Sequence, residues 1–288
     1  MKSFSIFTLF LFFASININA QDYVPTPDDI KHFPETKTIM VLEDSPLSEY
    51  NLIIQDRAPV EWNVTKIEFK EWKYFDEYKN NKGLSFLVLN RVTFDKDKTN
   101  ARYLFLSLVL GGDAKKLASM PDICSVPLAY YDAPEDSYVY KVDIFLRFIQ
   151  NHIKVISDNP KIVGKSVVTY YNSNIQPLKG KTLYLLANEL GKDVNTEAKI
   201  KKVYSGPVKI VTKDVLAQAI ADKDPNVVFL HKVGPHKKIE NARCYKVLIG
   251  AADAQFYYFD YHKINAKAPD GFLANDFIKF GKQVAKQK

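Results

Sequence analysis

The chain repeats itself, and this constrains its fold more than any other feature. Phe86-Leu87-Val88-Leu89-Asn90-Arg91-Val92 is echoed 141 residues later by Val227-Val228-Phe229-Leu230-His231-Lys232-Val233. At the same spacing Asn100-Ala101-Arg102 falls on Asn241-Ala242-Arg243, and Ile67 and Phe69 fall on Val208 and Ile210. Lys37-Thr38-Ile39 matches Lys181-Thr182-Leu183 at a spacing of 144. Two units built on one plan follow.

Periodicity reads each unit the same way. Thr38 to Leu42 and Thr182 to Ala187 are short apolar runs, as in buried strands. Ser45-Pro46 reads as an N-cap with Pro in the first turn, opening a helix that Pro59 should end or kink. In the second unit Asp193 or Asn195 caps a helix running to about Val203. Second strands follow at Ile67–Lys70 and Val208–Val211, then helices carrying Phe75 and Tyr78, or Leu216 and Ile220. Two hairpins pair 84–94 with 102–110 and 227–233 with 243–251. Further strands are expected at 125–131 and 256–261. Closing helices carry Val142, Phe145, Ile149 and His152 in one unit, and Leu273, Phe277, Phe280 and Val284 in the other.

The fold class is therefore α/β: two tandem β-α-β-α-β-β-β-α units, each a mixed sheet covered by helices. Residues 21–158 form the first unit, 159–180 a connection with its own strand at 167–171, and 181–288 the second unit.

Residues 1–20 read as a signal peptide: Lys2, an apolar run from Phe4 to Ile16, and Ala20 before a mature start at Gln21. No later stretch reaches the ~18 apolar residues of a membrane span. The expected location is outside the cytoplasm, periplasmic or secreted. That compartment is oxidising, yet the chain has 2 cysteines, Cys124 and Cys244. They form either one long-range disulfide or two buried apolar residues, and nothing in their spacing forces a pair.

Charge divides unevenly. Residues 21–150 carry 16 basic and 21 acidic side chains, a balance of −5, and residues 151–288 carry 23 and 12, a balance of +11. Either the units dock through complementary fields or the second meets an anionic partner. The contact surface expected on charge is Lys201 and Lys202 with the hairpin tip at His236, Lys237 and Lys238. Its partner would be a protein or an anionic envelope component, and no groove-reading helix points to nucleic acid.

Motifs for chemistry are missing. The chain has no GxSxG, HExxH, GxGxxG or P-loop pattern, so no catalytic residue, metal ligand or cofactor is assigned. The element order parallels the βαβαββα of thioredoxin domains, but Asp44-Ser45-Pro46-Leu47 and Asn188-Glu189-Leu190-Gly191 stand where those domains keep their cysteines. His231 and His236 flank Gly234-Pro235 beside two lysines, which suits a solvated basic turn better than a metal site. The pairs Tyr130-Tyr131, Tyr170-Tyr171 and Tyr257-Tyr258 should each put one ring inside and one outside a strand. Two functions remain. One is a non-catalytic exported binding or scaffold protein of the cell envelope. The other is a hydrolase-like enzyme using scattered carboxylates such as Asp44, Glu49 and Asp253.

The stretches Asp193 to Lys202, Asn226 to Pro235, Ala242 to Lys246 and Gly250 to Ile264 resemble those of a family of exported, uncharacterised proteins of the Bacteroidota. The resemblance covers nearly the whole mature chain. It implies a Gram-negative envelope location and brings no activity. Pro59 departs from the family's first helix, which runs on to the Trp62 position.

Overall fold

Both halves close the same five-stranded sheet. The computed structural model describes residues 24–94, 98–164, 166–173, 178, 180–235 and 239–286. The first unit runs α1 (Pro27–His32), β1 (Lys37–Leu42), α2 (Glu49–Glu61), β2 (Lys66–Glu71), α3 (Phe75–Tyr78), β3 (Leu84–Thr93), β4 (Arg102–Leu110), β5 (Asp122–Tyr130) and α4 (Val142–Asp158). After α5 (Ser166–Ser173), the second runs β6 (Thr182–Leu186), α6 (Glu197–Ile200), β7 (Val208–Val211), α7 (Lys213–Ala221), β8 (Val227–Val233), β9 (Arg243–Gly250), β10 (Phe256–Lys263) and α8 (Ala274–Lys286). The strand orders are β2-β1-β3-β4-β5 and β7-β6-β8-β9-β10. In each sheet the first three strands are parallel and the last three antiparallel.

The repeated Asn-Ala-Arg marks where each hairpin re-enters its sheet. Asn100 and Asn241 have φ of 54° and 65°. Asn tolerates this left-handed region where most L residues do not. Ala101 and Ala242 follow it into the core.

The units stack head to tail. In β8, Phe229 and His231 face the first unit, while Val228, Leu230 and Lys232 face α6 and α8; β9 divides Val247 and Ile249 from Lys246 and Leu248 in the same way. One core joins Leu87, Leu104 and Leu106 of the first sheet, through α2 and α4, to Phe229, Val247, Ile249 and Phe256 of the second. Helix α7 adds Leu216 and Ile220 to that core. On the far face of the first sheet, Phe75 of α3 covers Ile39, Val41, Phe86 and Val88.

Helix α4 is thus covered over most of its circumference: Ile144, Phe145, Leu146, Phe148, Ile149 and Ile153 are all buried, and the stripe Asp143, Arg147, Asn151, Lys154 and Asp158 stays partly or fully open. Its polar side chains close backbone ends in both units. Arg147 donates to the Ala251 and Ala252 carbonyls, and Asn151 to that of Asp253 (2.8 Å). Gln150 donates to the Glu61 carbonyl and accepts from Asn63 N–H.

Several expectations change. Helix α2 is capped by Ser48, whose Oγ accepts from Asn51 N–H, rather than by Ser45. Pro59 lies in its last turn without ending it, because Trp62 N–H still reaches the Ala58 carbonyl at 2.9 Å. Helix α6 is a single turn capped by Thr196. Asp193 instead accepts from Ala274 N–H at the start of α8. Residues 167–171 are helical, since a short apolar run has no periodicity that separates strand from buried helix. From α5, Asn172 exchanges two hydrogen bonds with the backbone of Phe259 on edge strand β10. Tyr257 and Tyr258 are both buried, because a register shift between Phe256 and Tyr258 breaks the alternation. Both cysteines are free and buried.

Two outcomes are expected. Asn241→Gly should leave stability within a few tenths of a kcal/mol, whereas Asn241→Val should cost about 1–2 kcal/mol for its strained φ, read by thermal unfolding. His152 on α4 is buried, and burial lowers its pKa to about 4. An unfolded histidine binds its proton below about pH 6.5, so stability present above that value is lost as pH falls toward 4. His152→Leu should remove about 3 kcal/mol of that loss, measured as a flatter slope of urea-unfolding free energy between pH 7 and 4.

Candidate functional site

The carboxyl ends of parallel strands open onto the crevices in which α/β sheets hold ligands. Here the carboxyl ends of β6 and β8 meet the start of α4 and the end of β5. Between them lies a cavity of about 380 Å³. Its walls include Leu128, Tyr130, Tyr138, Tyr140, Leu186 and Val211.

Three charged or titratable side chains form its floor. Lys141 ends the 3-10 turn Val139–Lys141 that leads into α4, and only 2% of it is exposed. Glu189 ends the 3-10 turn Ala187–Glu189 after β6. The Glu189 carbonyl accepts from Phe272 N–H, and Gly271, at φ 131°, lets the chain pass within contact of Glu189 and Gly191. His231 comes from β8, the middle strand of its sheet, and is fully enclosed.

The geometry fixes the protons. His231 Nε2 lies 3.0 Å from the Pro127 carbonyl, which only accepts, so Nε2 carries the hydrogen. Nδ1 then accepts from Lys141 Nζ at 3.2 Å. Burial and the neighbouring Lys141 charge hold the imidazole neutral, well below its usual pKa. For Lys141, burial favours the neutral amine, but Glu189 at 3.4 Å and the Tyr140 phenol outweigh it and raise the pKa. The centre is a charged ammonium, a carboxylate and a neutral imidazole.

Beside this floor Lys213 pairs with Asp136 across the two units at 2.6 Å, while the Lys232 side chain turns to the other face of its sheet and pairs with Asp270. Among the residues lining this cavity, two buried polar atoms make no hydrogen bond to the protein: Glu189 Oε2 and the Tyr140 hydroxyl. Leaving such an atom unsatisfied costs about 1–3 kcal/mol.

A second cavity, about 340 Å³, adjoins the first along α7 and is lined by Ile53, Arg57, Tyr140, Asp143, Asp214 and Gln218 among others. Tyr140 borders both.

Two of the residues expected on charge to form the contact surface lie elsewhere. Lys201 and Lys202 are exposed at the end of α6, and neither borders either of these two cavities. His236, Lys237 and Lys238 fall outside the described residues. His231 is no part of a solvated turn; it is a core residue because its strand is buried at every position. Of the three scattered carboxylates, Asp44 accepts from Lys73 N–H, Asp253 accepts from Tyr257 and Gln255, and Glu49 stands in the first turn of α2. Carboxylates whose pKa burial raises are likewise apart, with Asp122 on β5 at about 6, Glu43 beside Arg91 after β1, and Asp143 at the start of α4. Among the described residues no group of three His, Cys, Asp or Glu is placed to hold a metal, and no helix is long and apolar enough to cross a membrane.

Removing one member of the floor pair should expose its cost. Lys141→Met leaves the Glu189 carboxylate buried beside a neutral ring, with an expected loss of about 3–5 kcal/mol in urea unfolding. The double variant Lys141→Met, Glu189→Leu should recover most of that loss, since replacing both charges by apolar groups is often neutral or stabilising.

Comparison of the chain with known protein families, curated proteins and solved structures finds no match to any of them.

Proposed function

We propose that this chain is a non-catalytic exported binding protein of the cell envelope, and that the cavity between its two units receives a small ligand. The observation that carries the reading is the makeup of the cavity floor. A general base needs a free lone pair within reach of its proton. Both ring nitrogens of His231 are engaged, and its ring is enclosed. An amine nucleophile must be neutral, whereas Lys141 is held charged.

Other nucleophiles fare no better. Ser137 Oγ, at the cavity wall, donates to the Pro134 carbonyl at 2.6 Å without an adjacent base. Burial pushes the Cys244 thiol up to about 12 and Cys124 well above its usual value, which keeps both as inert thiols. What the cavity offers is apolar wall, phenol rings and a few convergent polar groups, the usual composition of a recognition site. Export rests on the first twenty residues, and envelope location on the resemblance stated above.

Retention of a small molecule tests this. The purified protein, incubated with an envelope extract, washed and denatured, should release one compound near 1:1 stoichiometry by mass spectrometry. Ala187 is exposed at the cavity wall, so Ala187→Trp should block the cavity, abolish retention and leave the melting temperature unchanged. Chemical conversion of the retained compound would replace the proposal with an enzyme, and absence of retention would end it.

A further inference from the structure

A strand at the edge of a sheet offers unpaired N–H and C=O groups to any further strand. The edges here are β2 and β5 in the first sheet, β7 and β10 in the second. Three of them are interrupted. β5 carries Pro127, which has no N–H and whose carbonyl accepts from His231. β7 is 4 residues long, and Glu197 accepts from its Ile210 N–H at 3.0 Å. β10 gives both backbone groups of Phe259 to Asn172.

β2 differs. Its 6 residues pair with β1 alone among the described strands. Lys37 N–H reaches the Gly83 carbonyl on the β3 side, and successive residues of a strand turn their backbone groups to opposite sides. Thr38 and Met40 therefore bond toward β2, where they engage Lys66, Glu68 and Lys70. Ile67, Phe69 and Glu71 point their N–H groups away from the sheet, and no described residue accepts from them. Side chains alternate in the same way: Ile67 and Phe69 pack toward the core under α2, and Lys66, Glu68 and Lys70 share the other face.

We infer that β2 is a self-association site, at which a second copy of the chain adds its own β2 antiparallel about a two-fold axis at Phe69. The inference is independent of the cavity. This register sets Phe69 against Phe69, Ile67 against Glu71, and Glu68 against Lys70 of the other copy. By symmetry the Glu68–Lys70 contact forms twice, at the non-hydrogen-bonded positions where side chains lie closest. Lysines on an edge ordinarily deter pairing. Here Glu68 stands between Lys66 and Lys70, so the strand is complementary to itself. An axis at Ile67 would instead draw in Thr65, which lies outside the strand and already bonds Thr38 and Trp62. Helix α2, which crosses from β1 to β2, leaves Leu52 and Val60 64% and 74% exposed. The axis stands normal to the sheet, so both copies of this apolar surface come to one face of the joined sheet.

Sedimentation velocity on the purified protein across about 1–300 μM tests this. The mass should rise from monomer to dimer, and amide exchange at Ile67, Phe69 and Glu71 should slow about fivefold or more as it does. Glu68→Lys and Lys70→Glu should each stay monomeric, because each sets like charges across the axis. An equimolar mixture of the two should recover the dimer. Glu68 pairs with Lys37 and Lys70 on partly exposed surface, so neither variant should lose melting temperature. A wild type that stays monomeric with fast exchange overturns the inference, as does a dimer that survives both single variants. Slow exchange at these amides in a monomer assigns the edge to another segment or partner and overturns the second copy. Rescue of Glu68→Lys by Lys66→Glu but not by Lys70→Glu overturns the axis at Phe69.

Discussion

Enclosure of α4 between two sheets is the constraint on which the molecule depends. A surface helix needs one apolar stripe; a helix held between two layers needs a wider apolar arc. α4 is covered over most of its circumference by Ile144, Phe145, Leu146, Phe148 and Ile149, with the stripe Asp143, Arg147, Asn151 and Lys154 left partly open, and Phe148 stacks on Phe256 of the opposite unit at 3.5 Å. Burial on both sides leaves its polar residues few permitted roles, because each must find a partner. Arg147, Gln150 and Asn151 find theirs on backbone ends of both units. The helix thereby joins two cores into one.

The cavity follows from that arrangement. Stacking one unit on the next sets the carboxyl ends of β6 and β8 against the entry to α4, so the floor is assembled from Lys141 of one unit and Glu189 and His231 of the other. The equivalent region of the first unit is closed differently. There Glu43 pairs with Arg91, and Glu135 accepts from Ser48 and from Tyr50 N–H at the start of α2. Matching strands end in unlike chemistry because the loops after them differ. The two buried lysines on the opposite face of the second sheet serve the fold instead. Lys232 and Lys246 stand directly across β8 and β9, and pair with Asp270, which precedes α8, and with Asp276 in its first turn.

Much of the plan was legible along the chain because it depends on local periodicity. The 141-residue echo identifies equivalent strands, and the hairpins follow from paired apolar runs with polar connections. The repeated Asn-Ala-Arg is legible as a hairpin exit, although only the backbone shows that Asn takes a positive φ there. Periodicity misleads where a long-range contact decides. Residues 167–171 form a helix because they pack beside β10, and Tyr257 turns inward with Tyr258 because a bulge shifts one residue. Net charge is uninformative about the cavity, since the cations at its floor are neutralised by partners distant in sequence, 48 residues away for Lys141.

The amino-acid sequence by itself determined the duplication, the order of elements, the α/β class and the absence of recognisable catalytic motifs, all properties of spacing and side-chain type. Tertiary structure alone decided that the units stack head to tail, that α4 is buried over most of its circumference between two sheets, and that Lys141, Glu189 and His231 meet. The physical reason is that desolvation and pairing are set by neighbours in space. A lysine, a glutamate and a histidine spread over ninety residues become one centre only when two sheets close around them.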